Sequence, residues 1–237
     1  MLCVECAHPV SRLYTYYSQN NIRATTCTNC HKFADKYIEC DSVLVGIDLV
    51  LLKPQAIRHV VFNVLAPKLP ASRWVRSQTQ KMMIVITLSD VYLQWAWSVK
   101  SEDPATVHFL SNTAPTVQYL CFLFYASLDT AIIHVVVRQM AYYWLHWTAL
   151  GTLSTGIMLS TAAKLLPIGT LIWDYNMPIV NSIVWWIFGF VLLEHIAVVL
   201  NCGYVKATII GVIALGIRWL VCSAAWSAVT SLATAIS

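Results

Sequence analysis

Charge is what this chain of 237 residues has least of: only 11% of its residues are Asp, Glu, Lys or Arg, against about 25% in an ordinary soluble domain. That deficit excludes a solvated globular surface for most of the chain. Catalytic signatures are missing as well. There is no Gly-rich phosphate loop, nucleophile motif, HxxE-type metal site or pair of acids at catalytic spacing, so an enzyme is the weakest class of function. A secretory signal is not read at the N-terminus, where Cys3 and Glu5 stand in place of a basic region and apolar core. The N-terminus is therefore expected to start in the cytosol.

What remains is apolar: 58% of residues are hydrophobic and mean hydropathy is +0.64. The few charges are unevenly placed. Residues 1–81 hold 10 of the 15 basic and 5 of the 11 acidic groups, whereas residues 82–237 are slightly acidic. That asymmetry divides a polar, basic N-terminal part from a membrane-embedded remainder, for which an anionic membrane surface is a better partner than nucleic acid.

The eight cysteines divide in the same way. Cys121, Cys202 and Cys222 lie scattered in apolar runs and read as small buried hydrophobes. Cys3-Val4-Glu5-Cys6 and Cys27-Thr28-Asn29-Cys30 instead form two CxxC pairs separated by twenty residues. Two residues between thiolates let a tight turn aim both sulfurs at one ion, and two such turns complete a tetrahedral Zn²⁺ site. A disulfide needs an oxidising compartment, and a redox dithiol usually opens a helix in a βαβ unit; neither context is read here. Four thiolates leave no open coordination position, so the one Zn²⁺ is structural and His8 and His31 are spectators. Leu13–Tyr17 and Ile22–Thr26 are β-prone around Asn20-Asn21, which reads as a hairpin between the knuckles. About forty residues bury too little to fold alone, so the metal supplies the folding free energy.

Beyond the second knuckle come Ala34-Asp35-Lys36-Tyr37-Ile38-Glu39-Cys40-Asp41, an apolar run at 43–52, and Ile57-Arg58-His59-Val60-Val61-Phe62-Asn63. Together with both CxxC pairs, the Tyr-Thr-Tyr-Tyr and the Asn-Ile-Arg upstream, residues 3–63 closely resemble the homology domain of the Arv family (ACAT-related protein required for viability). Ile57 stands where family members usually carry Tyr, and Pro54 interrupts a stretch more often unbroken. After residue 63 the likeness is to a pattern of spans. The resemblance implies an endoplasmic-reticulum membrane protein of lipid homeostasis, linked to sterol distribution, sphingolipid balance and assembly of glycosylphosphatidylinositol (GPI) anchors. It brings no catalytic residues with it.

The residues read on physically as follows. Pro54 starts a helix to about Leu65. Gln55, His59 and Asn63 recur every fourth residue with Arg58 beside them, opposite Ile57, Val60, Val61, Val64 and Leu65. Such a helix lies in the membrane interface or packs on the spans. Asp48, an acid in an apolar run, either pairs with Lys53 or Arg58 or reaches water at a helix end. Lys68, Arg73, Arg76 and Lys81 read as a basic juxtamembrane loop.

Five apolar runs follow, at approximately residues 82–99, 117–137, 148–172, 179–200 and 207–228, with Asp90 inside the first and Lys164 inside the third. The positive-inside bias puts residues 66–81, Arg138 and Lys206 on the cytosolic side with the ribbon, and Lys100, Glu102, Asp103 and Asp174 in the lumen. Trp95, Trp97, Trp147 and Trp173 sit near predicted boundaries. Asp90, Asp129, His134, Glu194, His195 and Arg218 are the intramembrane ionisable groups, read first as inter-helix polar contacts.

The expected fold is thus a small N-terminal β zinc ribbon (1–41), amphipathic or interfacial helices with a basic loop (42–81), and an all-α polytopic transmembrane bundle of about four to five spans (82–237). Cys3, Cys6, Cys27 and Cys30 are the metal ligands. Asp48, Arg58, His59, Asp129 and Glu194 are candidate contacts for a lipid or a partner. Two non-catalytic functions follow: an accessory subunit of GPI-synthesis machinery such as its N-acetylglucosaminyltransferase, or a direct carrier or scramblase of sterol or GPI intermediates.

Overall fold

A computed structural model describes the backbone of residues 1–18, 21–66, 73–171 and 177–236, and side chains outside 16–22, 67–80, 169–181 and 232–237. Lys68, Arg76, Trp173 and Asp174 of the sequence reading have side chains outside the described residues.

The N-terminal unit is built on two strands, β1 (Tyr14–Ser18) and β2 (Asn21–Ala24). They pair antiparallel, Tyr14 with Ala24 and Thr15 with Arg23, as the β-prone segments predict. On either side lie two turns of the same design. Cys3 N–H donates to His8 O and Ala7 N–H to Cys3 O; Cys27 N–H donates to Lys32 O and His31 N–H to Cys27 O. Ala7 and His31, each four residues after the first cysteine of its pair, both adopt left-handed φ, at 58° and 57°.

Three short helical elements join this ribbon to the bundle. A 3₁₀ turn (Lys36–Glu39) is capped by Asp35. Helix α1 (Ser42–Val50) is capped by Asp41, whose side chain accepts from Leu44 N–H. Helix α2 (Pro54–Arg58) has Pro54 in its first turn and continues as a π-helical stretch, His59–Leu65. Of the two placements expected for the 54–65 helix, packing on the spans is the one adopted: Ile57 and Val61 are fully buried in the same core as Phe188, Leu192 and Ile196. The exposed apolar face belongs to α1, through Val43, Leu44, Ile47 and Val50.

The bundle holds α3 (Arg73–Val99), α4 (Pro104–Asn112), α5 (Pro115–Leu145), α6 (Leu150–Thr161), α7 (Met177–Leu200) and α8 (Gly203–Ile236). Arg73 to Lys81 form the first turns of α3, not part of a loop as expected; with no proline after Arg73, the helical register of the span extends backward through the basic residues. Among the described residues four helices are long and apolar enough to cross a membrane: Lys81–Val99, Pro115–Leu145, Ser182–Leu200 and Gly203–Ser231.

The fifth apolar run, 148–172, is a broken helix. After α6 the chain tightens into a 3₁₀ stretch, Ala162–Leu171, with Pro167 inside it. Twelve α-residues rise about 18 Å and ten 3₁₀ residues about 20 Å, enough together for a hydrocarbon core of about 30 Å. The segment runs antiparallel to α7: Gly156 lies against Val199, Lys164 Nζ lies 5.4 Å from the Phe188 ring centroid, and Pro167 shares a small cavity with Val184. Its length and its antiparallel packing on α7 fit a further crossing beside those four. Irregular backbone at membrane depth is tolerated when it is enclosed by protein, and this stretch packs between α3 and α7. The ends of α5, α6, α7 and α8 nearest Trp147, Leu200 and Ala207 share one core with α2. The ribbon thus sits at one end of the bundle, with Arg138 and Lys206 toward it, while Lys100, Glu102, Asp103 and α4 lie at the other.

Candidate metal centre and buried charge cluster

The two turns bring Cys3, Cys6, Cys27 and Cys30 together, with all four sulfurs within 4.8 Å of one another. Cys3 Sγ lies 3.7 Å from Cys30 Sγ, and Cys6 Sγ lies 3.6 Å from Cys27 Sγ. A tetrahedron with metal–sulfur bonds of about 2.3 Å has edges of about 3.8 Å, so the cage fits one tetrahedral ion. All four cysteines are free thiols. Burial pushes the Cys3 thiol up to about 12. Burial also opposes ionisation of Cys6, but the His8 backbone amide and the Asn29 side chain bring that thiol down to about 6. Neither His8 nor His31 joins the set; they serve the turns through their backbones.

The ribbon is clamped to the helices behind it by residues that the sequence marks as polar outliers. Arg58 Nη1 donates to Val4 O at 2.8 Å and to Glu5 O at 3.1 Å, both within the first knuckle. Asp35, 1% exposed, is a hub: its carboxylate accepts from Tyr37 N–H at 3.0 Å and Asn63 Nδ2 at 2.8 Å, and pairs with His59 Nδ1 at 2.7 Å. Asn63 also exchanges hydrogen bonds with both backbone groups of Leu2. The polar face at i, i+4 thus meets the ribbon, not solvent. Asp48 takes the Lys53 partner, with Nζ at 2.7 Å, and also accepts from Tyr37 Oη at 2.7 Å. Lys53 first and Tyr37 second hold its carboxyl below the ordinary 3.8, while burial and then Asp48 itself raise the Tyr37 phenol. Asp35 and Tyr37 as anchors were not picked out by residue pattern; only the spacing of His59 and Asn63 hinted that a buried acceptor must exist.

Deep in the bundle a second cluster forms from four helices. Lys164, on the 3₁₀ stretch, reaches Asp90 of α3 at 3.3 Å and Asp129 of α5, and Arg218 of α8 pairs with Asp129 from the other side. Arg218 also lies flat on the Trp185 ring, 3.8 Å from its centroid. All four groups are 9% exposed or less. Two carboxylates and two cations cancel, which is the condition for keeping charges at such depth. Other intramembrane groups stay separate. His134 and His195 bond backbone carbonyls of their own helices, and Glu194, near the ribbon end, accepts from Tyr204 Oη at 3.3 Å.

Two members of the charge cluster line a cavity of about 450 Å³. Asp90 and Arg218 lie at its base, and Lys100, Ser101 and Thr106 at its rim. Lys100 directly follows α3, ten positions after Asp90, about 15 Å along the helix axis. This vestibule extends along α3 from Asp90 toward the end opposite the ribbon.

Fold and site together define a multi-pass helical membrane protein bearing a four-thiol, metal-ready ribbon at its N-terminus. The chain belongs to the Arv1-like family, whose model matches residues 2–197. The match extends well past the residue-63 limit of the sequence resemblance and takes in α3 to α7 up to Ala197. The chain is 36% identical to Protein arv1 of Schizosaccharomyces pombe over 196 residues, 79% of this chain and 70% of that protein. It is 29% identical to Protein ARV1 of Saccharomyces cerevisiae over 86% of this chain and 83% of the relative. To Protein ARV1 of Mus musculus it is 28% identical, covering 73% and 64%. No solved structure matches the chain.

Proposed function

We propose that this chain is a non-catalytic endoplasmic-reticulum membrane protein of lipid homeostasis that handles lipids directly within its bundle. The observation that carries this reading is the vestibule ending on a neutralised charge cluster at mid-depth. A bundle serving only as an anchor has no use for four desolvated charges, and intramembrane ionisable groups beside a cavity commonly mark a substrate path. The ribbon's ion is Zn²⁺, held structurally on the cytosolic face, and the lipid cargo belongs to the sterol, sphingolipid and GPI-anchor pathways. Reconstituted protein is expected to accelerate transbilayer movement or exchange of a labelled lipid, and Asp129→Asn to slow it. Wild-type rates equal to protein-free vesicles would sink the reading.

A second reading is an accessory subunit of the GPI-synthesis machinery, docked through the ribbon. The supporting observation is its basic outer surface, where Arg12, Arg23 and Lys32 are exposed. Gentle-detergent pulldown is expected to recover the N-acetylglucosaminyltransferase complex and to lose it with Cys27→Ser/Cys30→Ser. Recovery of the chain alone counts against this reading.

A further inference from the structure

From the walls of the vestibule we infer that it is a binding site for an uncharged, hydroxyl-rich ring, the sugar head of a neutral glycolipid, admitted from the end opposite the ribbon. The lipid-handling reading enters only through the source of the ring; the chemistry of recognition stands on the cavity itself.

Size comes first. A volume of about 450 Å³ lies in the range of about 300–1,000 Å³ typical of small-molecule sites. Charge comes next. Asp90 and Arg218 face the cavity, but both are already paired, through Lys164 and Asp129. The floor therefore presents strong hydrogen-bonding groups without an excess of either sign. A phosphate would have to share Arg218 with Asp129, and a free ammonium would have to share Asp90 with Lys164, so either leaves one net desolvated charge in the cluster.

The walls then select among neutral heads. Gln94, Ser98 and Ser101 supply both donors and acceptors on one side. Opposite stand aromatic faces: Trp226 stacks on Phe122 with ring centroids 5.5 Å apart, and Trp185 carries Arg218. A sugar ring suits such a lining. Its equatorial hydroxyls both donate and accept, and its C–H faces lie against aromatic planes. A sterol offers one hydroxyl to this many polar groups and would leave most of them unpaired.

The cavity lies toward one end of the bundle. The rim residues Lys100, Ser101 and Thr106 lie in the α3–α4 connection and α4, while the ribbon end is closed by the core of Ile57, Val61, Leu192, Ile196 and their neighbours.

The test uses the full chain, metal loaded, in phosphatidylcholine nanodiscs doped separately with monoglucosyl diacylglycerol or phosphatidylserine, with free methyl β-glucoside as a third arm. Native mass spectrometry reads lipid retention, and tryptophan fluorescence reads the glucoside. The glucosyl lipid is expected to be retained at least tenfold over phosphatidylserine. Gln94→Leu, which removes a donor and an acceptor from the wall, should lower retention about five- to tenfold, with unchanged metal content and circular dichroism. Retention of phosphatidylserine equal to the glucosyl lipid overturns the inference, as does unchanged retention by Gln94→Leu. Quenching by free glucoside without lipid retention keeps the ring site but removes the lipid-handling reading. Lipid movement in vesicles without retention of either sugar probe does the reverse.

Discussion

Two buried carboxylates organise this molecule, and they do so differently. Asp35 gathers Tyr37, His59 and Asn63 where the ribbon meets α2, and its partners are a backbone amide, an imidazole and a carboxamide. Asp129 gathers Lys164 and Arg218 in the middle of the bundle, and both partners are full cations. At the ribbon end, water and an ion-ready thiol cage lie close, so one acid with polar partners is stable. At mid-depth the same acid requires a cation on each side, one of them shared with Asp90. The contrast separates a region built on short-range hydrogen bonds and a metal-ready thiol cage from one held by charge balance across distant helices.

The largest effect is expected from disabling the thiol cage. Chelation, or Cys27→Ser with Cys30→Ser, should unfold the ribbon, since structural Zn²⁺ contributes about 10–16 kcal/mol in isolated zinc modules. Limited proteolysis should then cut within residues 1–41 while α5 and α8 stay protected. Next in size is Asp129→Ala, which strands two cations and should cost about 3–5 kcal/mol in detergent unfolding. Lys164→Met alone should be similarly harmful, whereas Lys164→Met with Asp90→Asn should recover part of the loss because the Asp129–Arg218 pair survives.

A smaller effect is expected of Asp35→Ala. It leaves His59 and Asn63 without their acceptor, costs about 1–3 kcal/mol, and should raise hydrogen exchange at Leu2 and in 59–65 without releasing the metal. Smallest is a titration. Asp48 has a folded pKa below 3.8, so its contribution is complete above the unfolded value and is lost as pH falls through the folded one. Carboxyl NMR should place its midpoint under 3.8, and Tyr37→Phe should move that midpoint upward. A midpoint at the ordinary value would remove Asp48 from the clamp.

How far the sequence discloses each region follows from the distance over which its contacts act. The thiol cage was readable because each knuckle is local and its spacing is the geometry. Lys53 was a readable partner for Asp48 because five residues separate them; Tyr37 was not, since it comes from a separate turn. The charge cluster was visible only as isolated oddities. Its ion pairs join residues 74 and 35 apart in the chain, and helical periodicity carries no information on which helix faces which. The apolar run at 148–172 announced a crossing, but its change of helix type follows from packing between α3 and α7.

That change of helix type sets a ruler. In an α-helix one residue is about 100° of rotation and 1.5 Å of rise; in the 3₁₀ stretch it is 120° and about 2 Å. Lys164 stands third in that stretch, and its ammonium must meet carboxylates on two other helices. Deleting one residue between Thr161 and Lys164 would swing the ammonium a third of a turn away and leave two acids facing each other. Substitution can be tolerated at Ala162 and Ala163, but the number of residues there cannot change.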